Sequence, residues 1–182
     1  MKNTNLQCKA IENSETLLQG ISIVITNALN APPHIGILFK NSYSSLSHKG
    51  QEINVRIDVL LKKMKILSSP CVFIEIKNHP VYSINYLQEL FNSYLNQFKR
   101  AGTENTTCLS PIKLFFQEAY FINSISYNFI FELIPILKEQ SLLIEAYSMF
   151  FNLKKNVEFH TYEFPIYTTE KIHDYIKIKT TS

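Results

Sequence analysis

Hydrophobic residues follow a strand-like pattern in the first part of the chain. The earliest runs are short, largely apolar and contain several β-branched side chains, which is typical of buried strands. Turn residues separate the runs, and Pro32-Pro33 excludes a helix between the first two. The predicted strands are residues 21–26, 34–39, 43–47, 52–56 and 71–77. Tight turns between strands favour an antiparallel sheet.

Helical periodicity dominates the next part of the chain. Ser83 precedes apolar residues that recur every three or four positions, and Gly102 follows them. We therefore predict a long helix between these two residues. A second helix is predicted to begin close to Cys108, because Pro111 is tolerated in the first turn of a helix. The predicted buried face of this second helix is Ile112, Phe115, Phe116 and Ala119.

Weaker patterns define the other elements. These are a short helix at 59–64, a short strand at 128–131, a helix from Pro135 to Phe150, an edge strand at 157–164 and a last helix at 169–179. Residues 1–16 are polar and predict a loose or weakly helical leader. The prediction is thus one α+β domain at 17–151, with a C-terminal extension at 152–182 that packs on it.

The composition limits the classes of function. Of the 182 residues, 46% are hydrophobic, and the net charge of +3 includes no long basic run. The chain is therefore expected to be globular and not to use nucleic acid as its main partner. No run approaches the length of a transmembrane helix, and the leader carries no apolar signal core, which favours the cytoplasm. Four glycines and no phosphate-binding motif give no indication of a cofactor.

The three cysteines do not predict a scaffold or a metal site. Cys8, Cys71 and Cys108 are odd in number and have no metal-like spacing, so we predict neither a disulfide framework nor bound zinc. Cys8 lies in the polar leader and is predicted to be an idle thiol. Cys71 precedes Val72-Phe73-Ile74 and is predicted to be a core residue.

Cys108 is the candidate nucleophile. At a helix start, free backbone N–H groups and the positive end of the helix dipole favour a thiolate. A thiol nucleophile needs an imidazole base and usually a third polar group that orients the base. From spacing alone, the alternative is that Cys108 is a small residue packed at the start of a helix.

His34 is the candidate base among the five histidines. It begins a predicted buried strand directly after Pro32-Pro33, and Gly36 allows close approach of the backbone. A histidine at a strand start is also a common structural residue. His48, in the next turn, is the candidate group that orients His34. The other histidines, His79, His160 and His173, lie apart from these signals.

The order of these elements resembles the circularly permuted branch of the NlpC-type, papain-like cysteine peptidases. That branch includes the lecithin–retinol acyltransferase-like enzymes and small bacterial amidase-like proteins. In it, a His-x-Gly-Ile strand supplies the base and precedes a cysteine at a helix start, as His34-Ile35-Gly36-Ile37 precedes Cys108. The resemblance covers residues 17–147 and implies a small antiparallel sheet packed against helices.

The sequence departs from the family pattern near two of these motifs. Gly20 leads into the first strand without the Asp that commonly follows it. The family's third catalytic group is usually a Glu or His on the strand after the His strand. Ser45 at that position would orient the base weakly, and His48 fits only with a shift in register.

The resemblance implies a cysteine-dependent hydrolase or acyltransferase. It would act on an amide or ester bond through a Cys108 thioester, with His34 as base and no cofactor or metal. The alternative is a catalytically inactive member of the fold that acts as a binding or interaction protein, which the two departures favour. A small-molecule, lipid or peptide substrate fits the enzyme, and the oligomeric state is left open.

Overall fold

The structure, a computed structural model, describes residues 4–103, 106–154 and 157–181, in which eight strands form one mixed sheet. The strands are β1 (Asn5–Ala10), β2 (Ile21–Thr26), β3 (His34–Phe39), β4 (Ser42–Ser47), β5 (Gly50–Arg56), β6 (Cys71–Ile76), β7 (Leu143–Met149) and β8 (Phe159–Glu163). Their order across the sheet is β5-β4-β3-β2-β6-β7-β1-β8. Neighbouring strands are antiparallel, except that β1 and β7 are parallel.

Five α-helices and one 3-10 helix (Glu15–Gln19) accompany the sheet in the described residues. The α-helices are α1 (Ile57–Ile66), α2 (Ile84–Leu95), α3 (Ser110–Tyr120), α4 (Ile130–Glu139) and α5 (Thr169–Thr181). Ser83 caps α2 by accepting a hydrogen bond from the Tyr86 N–H. Pro111 lies in the first turn of α3, where the missing N–H costs no helical hydrogen bond.

Two clusters of buried side chains lie on opposite faces of the sheet. Successive residues of a strand point to opposite faces. Ile35 and Ile37 of β3 pack in the larger cluster, together with apolar residues of α2, α3 and α4. Leu38 packs in the smaller cluster with Leu60 and Met64 of α1. By this alternation, the even-numbered residues of β3 face α1 and the odd-numbered residues face α3.

Much of the predicted arrangement is confirmed. The chain is mixed α+β, and the strands predicted at 21–26 and 34–39 have those bounds. The five strands β2 to β6 are antiparallel, as predicted. The predicted edge strand in the tail is β8, which ends the sheet, and α5 follows it. No helix in the described parts of the chain is long and apolar enough to span a membrane.

The prediction of a loose or weakly helical leader at 1–16 is wrong for residues 5–10. These residues form β1, which lies between β7 and β8. Leu6 and Cys8 alternate with polar residues and point into the larger cluster, where both are buried. Cys8, predicted as an idle thiol in the leader, is thus a core residue, as Cys71 is. The sheet is also larger than the small antiparallel sheet predicted, and β1 makes it mixed.

Two predictions between residues 128 and 150 are wrong. The predicted strand at 128–131 is the start of α4, where the Glu132 carboxylate accepts hydrogen bonds from the Asn128 and Phe129 N–H groups. These bonds satisfy donors that a helix start leaves free. Pro135 lies inside α4 and does not open it. The residues after α4 form β7 because β6 and β1 offer strand edges on both of its sides.

Candidate active site

Cys108 lies in the turn that leads into α3, two residues before the helix begins. Side-chain hydrogen bonds fix this turn. The Ser110 hydroxyl accepts from the Thr107 N–H at 2.9 Å, and the Thr107 hydroxyl accepts from the Leu109 N–H at 3.2 Å. The Cys108 thiol is free and half-buried.

Backbone N–H groups surround the sulfur of Cys108. Burial raises the pKa of the thiol to about 11, while hydrogen bonds from the N–H groups of Ile35, Cys108 and Leu109 act in the opposite direction. The thiol is therefore neutral at pH 7, which is opposite to the thiolate predicted for a helix start. Cys108 lines one cavity together with His34 and Ile35, the first two residues of β3.

His34 begins a line of polar contacts across three strands and one helix. Its Nε2 lies 3.1 Å from the Ser45 hydroxyl on β4. Ser45 donates to Oε2 of Glu52 on β5 at 3.1 Å. The other carboxylate oxygen of Glu52 accepts from Nζ of Lys63 on α1, also at 3.1 Å.

The strand register explains why these residues meet. Gly36 is opposite Ser45, and Ser45 is opposite Glu52. Residues opposite each other across a ladder share a face of the sheet, and His34 shares the face of Gly36 because it is two positions away. Gly36 is needed here, because a Cβ atom at this position would lie 2.6 Å from the ring of Tyr43.

The line from His34 to Lys63 joins a neutral imidazole to an ionised carboxylate. Burial lowers the pKa of His34 to about 4, although the charge of Glu52 acts to raise it. Burial alone would raise the pKa of Glu52. The Lys63 ammonium and the hydrogen bond from Ser45 bring it below its ordinary value.

His48 lies near His34 without contacting it. It follows β4, and burial and the charges of Lys49 and Lys179 lower its pKa. No hydrogen bond joins the two histidines among the described residues, and Nε2 of His34 is already in contact with Ser45. The orienting role predicted for His48 stays a prediction, and Ser45 makes the contact that such a role requires.

Two cavities meet at His34. The Cys108 cavity has a volume of about 60 Å³ and mostly apolar walls that include Ile35, Leu46 and Leu109. The polar cavity has a volume of about 280 Å³ and includes Asn27, Gln51, Glu52 and Lys63 in its walls. Three rings line both cavities: His34, His48 and Tyr175.

Helix α5 forms the outer wall of the Cys108 cavity. Ile172, Tyr175 and Ile176 line this cavity, together with Tyr167 just before the helix. Ile176 packs against Gly102 so closely that no side chain fits there, and Gly102 has a φ of +95°. No functional role is predicted from the sequence for the residues of α5.

Sequence reasoning also missed Glu52 and Lys63 and treated Ser45 as a weak candidate. One signal was available for Ser45. The turn at Lys40 and Asn41 pairs Phe39 with Ser42, and continuing this register pairs Gly36 with Ser45.

The described residues contain no group of three or more His, Cys, Asp or Glu side chains arranged to hold a metal ion. Comparisons of the chain with protein-family models, with curated proteins and with solved structures found no significant match. The relation to the permuted papain-like enzymes therefore stays a prediction from the sequence.

Proposed function

We propose that the chain is a cysteine-dependent hydrolase or acyltransferase of the permuted papain-like type, in which Cys108 is the nucleophile and His34 the base. The observation that carries this proposal is that Cys108 and His34 line the same cavity. The backbone N–H of Ile35, the residue after His34, also acts to lower the pKa of the Cys108 thiol.

The reaction would begin with proton transfer from the thiol to His34 as the sulfur attacks a carbonyl carbon. The S–C bond forms while the C=O electron pair moves onto oxygen, where the N–H groups at the start of α3 stabilise the negative charge. As the intermediate collapses, the bond to the leaving nitrogen or oxygen breaks, and that atom takes the proton from His34. The product is a Cys108 thioester.

Water or another acceptor would then resolve the thioester. His34 removes a proton from the acceptor as the acceptor attacks, and the S–C bond breaks. The proton then returns to the sulfur. Because the thiol pKa is about 11 and the imidazole pKa about 4, both groups begin neutral. The thiol proton would therefore move during the attack and not before it.

A binding or interaction protein is the second candidate. The raised pKa of Cys108 and the small volume of the Cys108 cavity favour it, because ligand pockets usually have volumes of about 300–1,000 Å³. In that function the polar cavity, at about 280 Å³, is the larger of the two candidate binding sites.

The test is His34-dependent acylation of Cys108. The native chain is treated with p-nitrophenyl acetate, and mass spectrometry locates the acetyl group on each of the three cysteines. Cys8 and Cys71 are internal controls, because burial raises the pKa of both thiols to about 12. We expect acetylation at Cys108 that His34→Ala suppresses. Equal acetylation of Cys108 in the wild type and in His34→Ala contradicts the enzyme.

A further inference from the structure

We propose that Ser45 and Glu52 hold His34 as the Nε2–H tautomer, so that Nδ1 is the atom that takes the proton of Cys108. This inference rests on the function proposed above and adds two positioning residues to it. Neither residue is required to touch the substrate, because both act through the imidazole.

The number of protons on Ser45 and Glu52 determines which ring nitrogen of His34 is protonated. The hydroxyl of Ser45 carries one proton, and an ionised carboxylate carries none to donate. Ser45 donates its proton to Glu52 at 3.1 Å. The contact of 3.1 Å between Ser45 and Nε2 of His34 can then be a hydrogen bond only if Nε2 is the donor. A neutral imidazole has one N–H, so Nδ1 carries the free lone pair.

Lys63 keeps Glu52 ionised and oriented. Its Oε1 accepts from the Lys63 ammonium at 3.1 Å, which leaves Oε2 for Ser45. A hydrogen bond to a charged acceptor is stronger than one between neutral groups. The proton of Ser45 therefore stays directed at Glu52 and is not shared with His34.

The sheet holds the Ser45 hydroxyl in a fixed position. Ser45 is completely buried in β4, with Gly36 opposite it on β3 and Glu52 opposite it on β5. A hydroxyl in this position has little access to water as an alternative partner. The sheet thus presents a fixed acceptor to Nε2 of His34. His48 makes no comparable contact with this ring among the described residues.

The tautomer of His34 determines which ring nitrogen can accept the proton of Cys108. With the proton on Nε2, His34 begins with an empty acceptor at Nδ1. With the proton on Nδ1, the imidazole would first have to change tautomer before it used that atom as a base. Loss of Glu52 should therefore slow proton transfer even when Cys108 and His34 are both intact.

The experiment reads the tautomer directly. The ¹⁵N chemical shifts of the His34 ring are measured in the full chain at about pH 7.5, where a pKa of about 4 leaves the ring neutral. In the wild type we expect a protonated Nε2 and an unprotonated Nδ1. In Glu52→Ala, the freed proton of Ser45 can be donated to Nε2, so we expect the Nδ1–H tautomer to appear.

Three further variants separate this role from a merely structural one. Glu52→Gln keeps an acceptor oxygen and should shift the tautomer less than Glu52→Ala, which also covers a failure of the alanine variant to fold. Ser45→Thr keeps the hydroxyl and should keep the wild-type tautomer. Asp58→Ala is the matched control, because it removes a carboxylate that pairs with the exposed Arg56. It should change nothing at His34.

A kinetic readout accompanies the spectra. Glu52→Ala should lower the rate of Cys108 acetylation about tenfold or more, because the Nδ1–H tautomer has no acceptor at Nδ1 and a general base usually contributes about 10²- to 10⁴-fold. An Nδ1–H tautomer in the wild type, or an unchanged Nε2–H tautomer in Glu52→Ala, overturns the proposal.

The two proposals can fail separately. If acetylation does not depend on His34 while the tautomer changes as expected, the enzyme is contradicted and the tautomer assignment is supported. If acetylation depends on His34 while Glu52→Ala changes neither tautomer nor rate, the positioning role is overturned and the enzyme stands.

Discussion

Within the described residues, two sets of Cys, His and Ser side chains lie at opposite ends of one sheet. In the first, His34 contacts Ser45 at 3.1 Å beside Cys108. In the second, His160 contacts Ser148 at 2.7 Å, and Cys8 lies opposite His160 in the register of β1 and β8. The residue types are the same, and in both sets Nε2 meets a serine hydroxyl.

The two sets differ in what surrounds them. Cys8 is completely buried, and the ring of Phe151 lies 4.9 Å from the ring of His160. No carboxylate accepts from Ser148 among the described residues, so its proton remains available to His160. The first set adds Glu52 behind the serine and a cavity in front of the cysteine. We therefore expect reactivity only in the first set, because Glu52 and the Cys108 cavity are present there and the proximity of Cys, His and Ser alone is not enough.

Removing each histidine in turn should show the largest difference between the two sets. His34→Ala should lower the rate of Cys108 acetylation by about 10²- to 10⁴-fold, the usual contribution of a general base. His160→Ala should leave that rate within about twofold, because His160 lies at the other end of the sheet. Mass spectrometry of the acetylated cysteines measures both. Similar losses in the two variants would show that His34 has no special role.

The pH dependence of stability should follow His34. Its pKa is lowered from 6.5 to about 4 by burial. Below about pH 6.5 the unfolded chain gains a proton that the folded chain does not, so the stabilising contribution is complete above pH 6.5 and is lost as the pH falls toward 4. The full loss is about 3 kcal/mol.

Urea unfolding of the wild type and of His34→Gln, each at about pH 7.5 and pH 4.5, measures this contribution. The wild type should lose more stability on acidification than the variant. An equal loss in both proteins would mean that His34 is not kept neutral by the fold.

Gly36→Ala should destabilise the sheet at the end where His34 lies. The added Cβ would lie 2.6 Å from the Tyr43 ring, which is completely buried. Overpacking of this kind costs about 1–3 kcal/mol. Gly20→Ala is the matched control, since its Cβ would meet no atom closer than 3.5 Å, and should change stability by less than about 0.5 kcal/mol. Urea unfolding measures the stability of each variant. Equal stabilities of the two variants would contradict the prediction.

The smallest expected effect concerns the wall formed by α5. Gly102→Ala should push Ile176 outward and expose Cys108, which raises its alkylation by iodoacetamide about 2- to 5-fold, equivalent to about 1 kcal/mol or less. Gly50→Ala controls for backbone strain, because Gly50 also has a positive φ but has room for a Cβ atom. Alkylation of Cys8 should stay unchanged in both. Unchanged alkylation of Cys108 in Gly102→Ala would mean that α5 does not limit access.

Elements that form through local sequence preferences could be predicted, whereas elements that depend on distant partners could not. Residues 21–26 and 34–39 are dense in β-branched or apolar side chains, so local preference alone defines β2 and β3. β1 and β7 depend on partners far along the chain. The alternation of Leu6 with Cys8 is too short to outweigh polar neighbours, and β7 forms because β6 and β1 are there to pair with it.

The candidate site divides in the same way. Cys108 and His34 were found because a proline near a helix start and a Pro-Pro before a strand are local signals. Ser45 could be placed through the hairpin register, but Glu52 could not. The ladder between β4 and β5 shifts register between Tyr43 and Ser45, and Asn54 has a φ of 55°. This irregularity in the β4–β5 ladder determines which side chain lies opposite Ser45. It cannot be predicted from the sequence.

The ladder between β1 and β8 has a consequence for the order of folding. Asn5 pairs with Glu163, so this ladder closes a loop of almost the whole chain, and contacts of such separation form slowly. His34, Ser45 and Glu52 belong to a meander of hairpins that closes through short loops. We therefore expect the contacts among His34, Ser45 and Glu52 to form early. Helix α5 follows β8 and should cover Cys108 only after β1 and β8 have paired. In pulsed hydrogen exchange during refolding, amides of β3 and β4 should be protected before those of β1 and β8.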